Sequence, residues 1–263
     1  MVREASVPIG DTAADYVSFG RGTKPLVLIP GLNLRNVKGS GYALAWMYRV
    51  FARDFKVYCI DRKRQILKDY TVEAIAEDYA AAMQALGIHD SYVVGVSQGG
   101  MIAQYLAINH PELVRKLVLA VTSARSNETI TSCINTWVSL VEQGDYRALG
   151  RDILGKMYSD RYVRRYGWLF PLLVAMQKPE NPERFITLAK SCLTCDTYTQ
   201  LHRIKCPVLV IGGNRDRLMT GEASREIAEQ LGCSIYMYEG LGHAAYAEAR
   251  DFNRRIYEFF TAD

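Results

Sequence analysis

Residues 93–100 read Val93-Val94-Gly95-Val96-Ser97-Gln98-Gly99-Gly100, followed by Met101-Ile102-Ala103-Gln104-Tyr105-Leu106-Ala107. The first half is apolar and β-branched, the composition of a buried strand. The seven residues after it read as a helix. Between them, Gly95-x-Ser97-x-Gly99 marks a sharp turn. A Cβ at position 95 or 99 would collide there with the neighbouring helix and strand. Ser97 is expected in a strained backbone conformation that pushes its hydroxyl out above the sheet. The helix starts directly beneath it, so free N–H groups and the positive dipole end favour an anion nearby.

The five-residue pattern alone is weak, because it arises by chance in roughly one chain in ten of this length. Its setting between strand and helix strengthens it, and so does the rhythm of the flanking sequence. Upstream, Pro25-Leu26-Val27-Leu28-Ile29 is an apolar run ending at Pro30-Gly31-Leu32-Asn33. Residues 4–19 suggest an opening hairpin, and 40–54 carry Tyr42, Leu44, Trp46, Met47, Val50 and Phe51 at helical spacing. Phe55–Ile60 reads as a strand ending at Asp61, and 72–87 as a helix capped by Thr71. Downstream, 115–121 is another buried strand. The alternation breaks from about Ala124 to Ile204, then resumes with a strand at 207–212, a helix at 222–231, a strand at 234–239 and a closing helix from about Ala245 to Phe260. Strands alternating with helices indicate an α/β fold with a mostly parallel sheet covered on both faces. The division expected is a core of residues 1–123 and 205–263, with 124–204 a helical insertion at the carboxyl ends of the strands, where ligands bind.

With 263 residues, 49% hydrophobic and 23% charged, the chain fits one large domain with an insertion. A net charge of +4, mixed in sign, gives no case for nucleic acid. No apolar run is long enough to span a bilayer, and Met1–Ser6 lack an apolar signal core, so the expected compartment is the cytoplasm. In that compartment the six cysteines are expected as free thiols. Cys192-x-x-Cys195 with His202 and Cys206 has no second Cys pair, and no metal or cofactor is expected.

An activated serine needs a base, an acid that orients it, and donors for an oxyanion. Of the four histidines, only His243, in Glu239-Gly240-Leu241-Gly242-His243, follows a strand on the same sheet edge as Ser97. Asp216, in Gly212-Gly213-Asn214-Arg215-Asp216, follows an earlier strand on that edge. Asp61, Asp196 and Glu248 compete for this role. The first ends a strand on the far side of the serine turn, the second lies in the insertion, and the third reads as a first-turn carboxylate of the last helix. The expected oxyanion donors are the backbone N–H groups of Gln98 and Leu32.

At these residues the chain resembles the α/β-hydrolase family along nearly its whole length. The likeness is greatest to the small, capped, cofactor-free members such as enol-lactone hydrolases, carboxylesterases and carbon–carbon bond hydrolases. It rests on Gly95-Val96-Ser97-Gln98-Gly99-Gly100, on Ile204–Gly212 with Asp216, and on Gly242-His243. The resemblance implies a Ser97–Asp216–His243 triad and a helical cap. Two departures stand out. The family's His-Gly before the oxyanion residue is Pro30-Gly31 here. Its glycine-rich turn after the next strand is replaced by Asp61-Arg62-Lys63-Arg64-Gln65-Ile66-Leu67-Lys68, so that loop takes another path.

The expected activity is hydrolysis of a carboxylic ester, lactone or related small acyl substrate through an acyl-enzyme, with neither nucleic acid nor membrane as partner. Acyl transfer or perhydrolysis on the same triad, and a ligand-binding protein of this fold with little turnover, are the alternatives. Within 124–204, eleven Lys/Arg against eight Asp/Glu leave a net +3, and Arg161, Arg164 and Arg165 read as a solvated face. Trp137, Tyr158, Tyr162, Trp168 and Phe170 are candidate pocket walls.

Overall fold

The computed structural model describes residues 1–169, 172 and 178–262; Phe170 lies outside them. Eight strands form one sheet: β1 (Arg3–Ile9), β2 (Thr12–Phe19), β3 (Lys24–Ile29), β4 (Phe55–Lys63), β5 (Ser91–Val96), β6 (Val114–Ala120), β7 (Val208–Gly213) and β8 (Ser234–Tyr238). Their order is β1-β2-β4-β3-β5-β6-β7-β8. The β1/β2 and β2/β4 pairs are antiparallel and the rest of the ladder is parallel. The central strand β5 is buried at all six residues, which explains its unbroken apolar sequence.

The helices are α1 (Gly41–Met47), α2 (Val72–Ala85), α3 (Gln98–Asn109), α4 (Glu128–Glu142), α5 (Tyr146–Met157), α6 (Asp160–Tyr166), α7 (Pro182–Ser191), α8 (Gly221–Leu231), α9 (Ala245–Glu248) and α10 (Phe252–Thr261). One apolar core gathers α2, α3 and the inner faces of α4, α5 and α7. A second, on the opposite sheet face, packs Phe51, Phe55, Tyr92, Phe252, Ile256 and Phe260. Phe55 and Tyr92 meet edge-on at 5.1 Å between ring centroids, and Tyr92 meets Phe260 at 5.0 Å. Thr71 caps α2 as expected, its Oγ1 accepting from the Ala74 N–H at 3.1 Å. Helices α4 to α7 lie between β6 and β7, and this helical segment is called the cap below. Among the described residues no helix is long and apolar enough to cross a membrane.

Three sequence expectations need correction. The 40–54 segment makes only the short α1 and a 3₁₀ turn at Arg49–Phe51, and Tyr42, Trp46 and Met47 face outward, 84%, 70% and 45% exposed. Helical spacing identified a face but not its direction, and only Phe51 of that set is fully buried. The closing helix is two pieces, because Ala249 leaves helical geometry with ψ near +118°. Finally, β4 does not stop at Asp61. Without glycines to turn the chain, the strand runs on to Lys63, which pairs with Ala14 of β2. Arg64 then turns back onto Asp15 with hydrogen bonds of 3.1 Å from Nε and 2.6 Å from Nη2.

Candidate active site

The turn at Ser97 has the expected strain and shape. Ser97 sits at φ +56°, ψ −123°, a region that non-glycine residues seldom adopt. The surroundings hold it there: its N–H donates to Ala120 O at 2.9 Å, and its carbonyl accepts from Thr122 Oγ1 at 2.7 Å and the Gly100 N–H at 2.8 Å. The flanking glycines are sterically required. A Cβ at Gly95 would lie 2.5 Å from the Gly99 carbonyl oxygen, and one at Gly99 only 2.0 Å from the Ile29 carbonyl oxygen.

The loops after β5, β7 and β8 meet above this turn. His243 Nε2 lies 2.9 Å from Ser97 Oγ, and His243 Nδ1 lies 2.9 Å from Asp216 Oδ2. The other carboxylate oxygen of Asp216 accepts the N–H groups of Leu218 at 2.8 Å and Met219 at 3.0 Å. Burial alone would raise the Asp216 pKa. His243 and the two backbone donors outweigh that, so the carboxyl is held below its ordinary value and stays ionised. All three side chains are buried.

Gly31 brings the loop after β3 against the serine, with a would-be Cβ 3.2 Å from Ser97 Cβ. Among the described residues, neither the Leu32 nor the Gln98 N–H has a hydrogen-bond acceptor, so both are free for a ligand oxygen. A cavity of about 430 Å³ opens from Ser97 and His243 under the cap. Its walls include Ile130, Ile134 and Trp137 of α4, Ile153, Leu154 and Met157 of α5, Tyr158, Phe185 of α7, and Leu218 and Met219. Arg35 is the one permanently charged side chain among the lining residues.

Of the expected pocket walls, Trp137 and Tyr158 line the cavity. Tyr162 stacks on Tyr158 at 4.4 Å, and Trp168 is exposed. Arg161, Arg164 and Arg165 are exposed on α6. The competing acids have other work. Asp61 accepts from the Val37 N–H at 3.1 Å and from Asn33 Nδ2 at 3.3 Å, which ties down the loop after β3. Asp196 bridges to Arg125 through its backbone. Glu248 ends α9 rather than starting the last helix, and it accepts from Ser159 N and Oγ at 2.8 and 2.5 Å, the latter residue being the N-cap of α6. All six cysteines are free thiols in the structure.

Sequence reasoning missed a polar seam beneath the loop after β3. Arg62, 1% exposed, donates from Nη2 to Pro30 O at 2.6 Å and to Gln98 Oε1 at 2.7 Å. The Gln98 side-chain amide in turn donates to Leu188 O at 2.6 Å, near the end of α7. On the same helix, Arg184 donates to the carbonyls of Arg62 at 3.1 Å and Lys63 at 2.6 Å. The available signal was the missing glycines after Asp61, which let β4 carry charged residues into the interior.

Residues 24–249 match the family model described as the alpha/beta hydrolase fold. The chain is 22% identical to 3-oxoadipate enol-lactonase 2 of Acinetobacter baylyi over 231 residues, 84% of this chain and 82% of that protein. It is 25% identical to pyrrolizixenacetamide deacetylase of Xenorhabdus hominickii over 253 residues, 92% of each. Among solved structures it is similar to MGS-M2, an alpha/beta hydrolase enzyme from a Medee basin deep-sea metagenome library, with a TM-score of 0.86, 21% identity and 98% of each chain covered. With the eight-stranded, mostly parallel sheet and a family match that spans most of its length, the chain belongs to the α/β-hydrolase family of enzymes.

Proposed function

We propose that the protein hydrolyses carboxylic esters, lactones or related acyl compounds, with Ser97 as nucleophile. The observation that carries this reading is the continuous hydrogen-bonded line Asp216–His243–Ser97, at 2.9 Å per step, opening on one cavity. His243 Nε2 takes the proton as Ser97 Oγ attacks the carbonyl carbon, and Asp216 holds the other ring nitrogen as the donor. The oxyanion that forms is received by the N–H groups of Gln98 and Leu32. His243 then returns the proton to the leaving alcohol, and a water activated by the same nitrogen releases the acyl group from Ser97.

The cavity walls favour an uncharged, apolar acyl portion. Most of the lining is apolar, Ile134, Trp137 and Ile153 among it, and a carboxylate seated against those side chains would lose its hydration, Arg35 being the one permanent cation among the lining residues. Relatives named for a lactone and for an acetamide fit acyl chemistry of this general kind. Labelling with a fluorophosphonate, read by intact mass, tests the proposal. One label per wild-type chain, absent from Ser97→Ala and His243→Ala, is the expected result. Unlabelled but folded wild type would remove the basis for an activated serine.

A further inference from the structure

A fully buried arginine normally faces a carboxylate, because an uncompensated charge in the interior is costly. Among the described residues Arg62 has no ion-pair partner, and its Nε and Nη1 have no hydrogen-bond partner. Only Nη2 is engaged, and both its acceptors belong to segments that flank Ser97. One is the carbonyl of Pro30, two residues before Leu32. The other is the side chain of Gln98, the residue that follows the serine and whose backbone N–H is the second proposed oxyanion donor. Gly99 lets the Pro30 carbonyl come this close, since a Cβ there would lie 2.6 Å from that oxygen. Gln98 is itself buried and spans from Arg62 to Leu188 of the cap helix α7.

We infer that Arg62 is a positioning residue that sets the spacing of the two oxyanion donors and links it to the seat of α7. The inference rests on the reading of Ser97 as nucleophile with Leu32 and Gln98 as donors. One nitrogen bonds both segments at once, so losing it loosens the spacing between the two donors. Oxyanion donors act only when held at the right distance, so the loss should fall on turnover and spare ground-state binding.

The test uses the full chain with p-nitrophenyl butyrate as substrate, active sites being counted by fluorophosphonate mass labelling. Arg62→Met should lower kcat per labelled site by about 10- to 100-fold, with KM within about threefold of wild type. Arg62→Lys should recover most of that loss, because one ammonium has donors for both acceptors. Gln98→Met keeps its backbone N–H but removes the shared acceptor. It should give a loss of the same kind, and the double variant should lose no more than the worse single. Inhibition by phenylboronic acid, which forms a tetrahedral adduct on the serine, should weaken in step with kcat. If Arg62 served only folding, fewer sites would label but kcat per site would hold, and that result overturns the inference. Should Arg62→Met fail to fold, Arg62→Lys and Gln98→Met decide the matter by the same kcat-to-KM split. Full labelling of wild type with unchanged kcat per site in the variants sinks the role of Arg62 alone. Absence of labelling in folded wild type sinks the reading of Ser97, and this inference with it.

Discussion

Replacing Asp216 by asparagine separates the charge of this residue from its shape. In the native site Oδ1 accepts two backbone N–H groups, from Leu218 at 2.8 Å and Met219 at 3.0 Å, while Oδ2 faces His243 Nδ1 at 2.9 Å. Asparagine has one oxygen and one NH2 group. Turning the NH2 toward Leu218 and Met219 would set donors against donors, so the oxygen stays there and the NH2 faces His243. Nδ1 must then accept, which puts the ring proton on Nε2, 2.9 Å from Ser97 Oγ. A protonated Nε2 cannot take the serine proton. The same exchange in a serine protease of another fold costs about 10⁴ in kcat, and at about 1.36 kcal/mol per tenfold this is about 5.4 kcal/mol of barrier. The expected result is a kcat lower by roughly four orders of magnitude, with a melting temperature close to wild type because both loop hydrogen bonds survive. Steady-state hydrolysis of p-nitrophenyl butyrate and a thermal melt measure the two quantities. A variant within tenfold of wild-type kcat would refute the tautomer argument and the assignment of Asp216 as the orienting acid.

Gly99→Ala should destabilise by more than about 4 kcal/mol, since the new methyl meets backbone oxygen on β3. Gly155→Ala, which meets nothing in α5, should stabilise by about 0.5–1 kcal/mol, and urea melts compare the two. At Asp15, burial raises the pKa, but hydrogen bonds from Arg64 and Ser6 and the charges of Arg64 and Lys38 pull it well below the ordinary carboxylate value. A depressed folded pKa means the stabilisation is complete above the unfolded value of about 3.9 and is lost as pH falls through the folded one. Asp15→Asn should therefore melt lower than wild type at pH 7, by roughly 1–3 kcal/mol of stability, with the gap narrowing below about pH 4. A gap that stays constant down to pH 2 would contradict this. Ile153→Phe narrows the cavity, so the ratio of kcat/KM for p-nitrophenyl octanoate over acetate should fall about tenfold, one lost methylene contact being worth ~1–3 kcal/mol. An unchanged ratio would place the acyl chain elsewhere.

Much of the sheet was readable because buried parallel strands leave an unmistakable trace. Ser91–Val96 and Val208–Gly213 have no polar face, and the turn after each carries a residue of the candidate site, Ser97 and Asp216. The meeting of Ser97, Asp216 and His243 followed from topology, since loops after parallel strands share one edge. What stayed hidden depends on contacts between distant segments. The apolar set Tyr42, Trp46 and Met47 has the spacing of a buried face, yet all three are exposed while Leu44, Tyr48 and Phe51 of the same segment pack against the core. Arg62 read as part of the loop after a strand ending at Asp61, and the pairing of Lys63 with Ala14 shows that the strand instead carries it inside. Glu248 lies five residues after His243, but its partner Ser159 is 89 positions away, a distance across which local patterns carry no information.

That last contact, with the bond of Gln98 to Leu188 of α7 and those of Arg184 on α7 to the carbonyls of Arg62 and Lys63, ties the cap to the core at two places. Ser159 holds one end through Glu248, and the Met157 carbonyl accepts the Ala244 N–H at 2.8 Å next to His243. Leu188 and the carbonyls of Arg62 and Lys63 hold the other. The cap is therefore not an interchangeable module. A chimaera that grafted a foreign cap onto this core would strand the Gln98 amide and the Glu248 carboxylate without partners. A graft would keep these bonds only where the anchor residues Leu188, Arg184 and Ser159 are carried into the inserted segment.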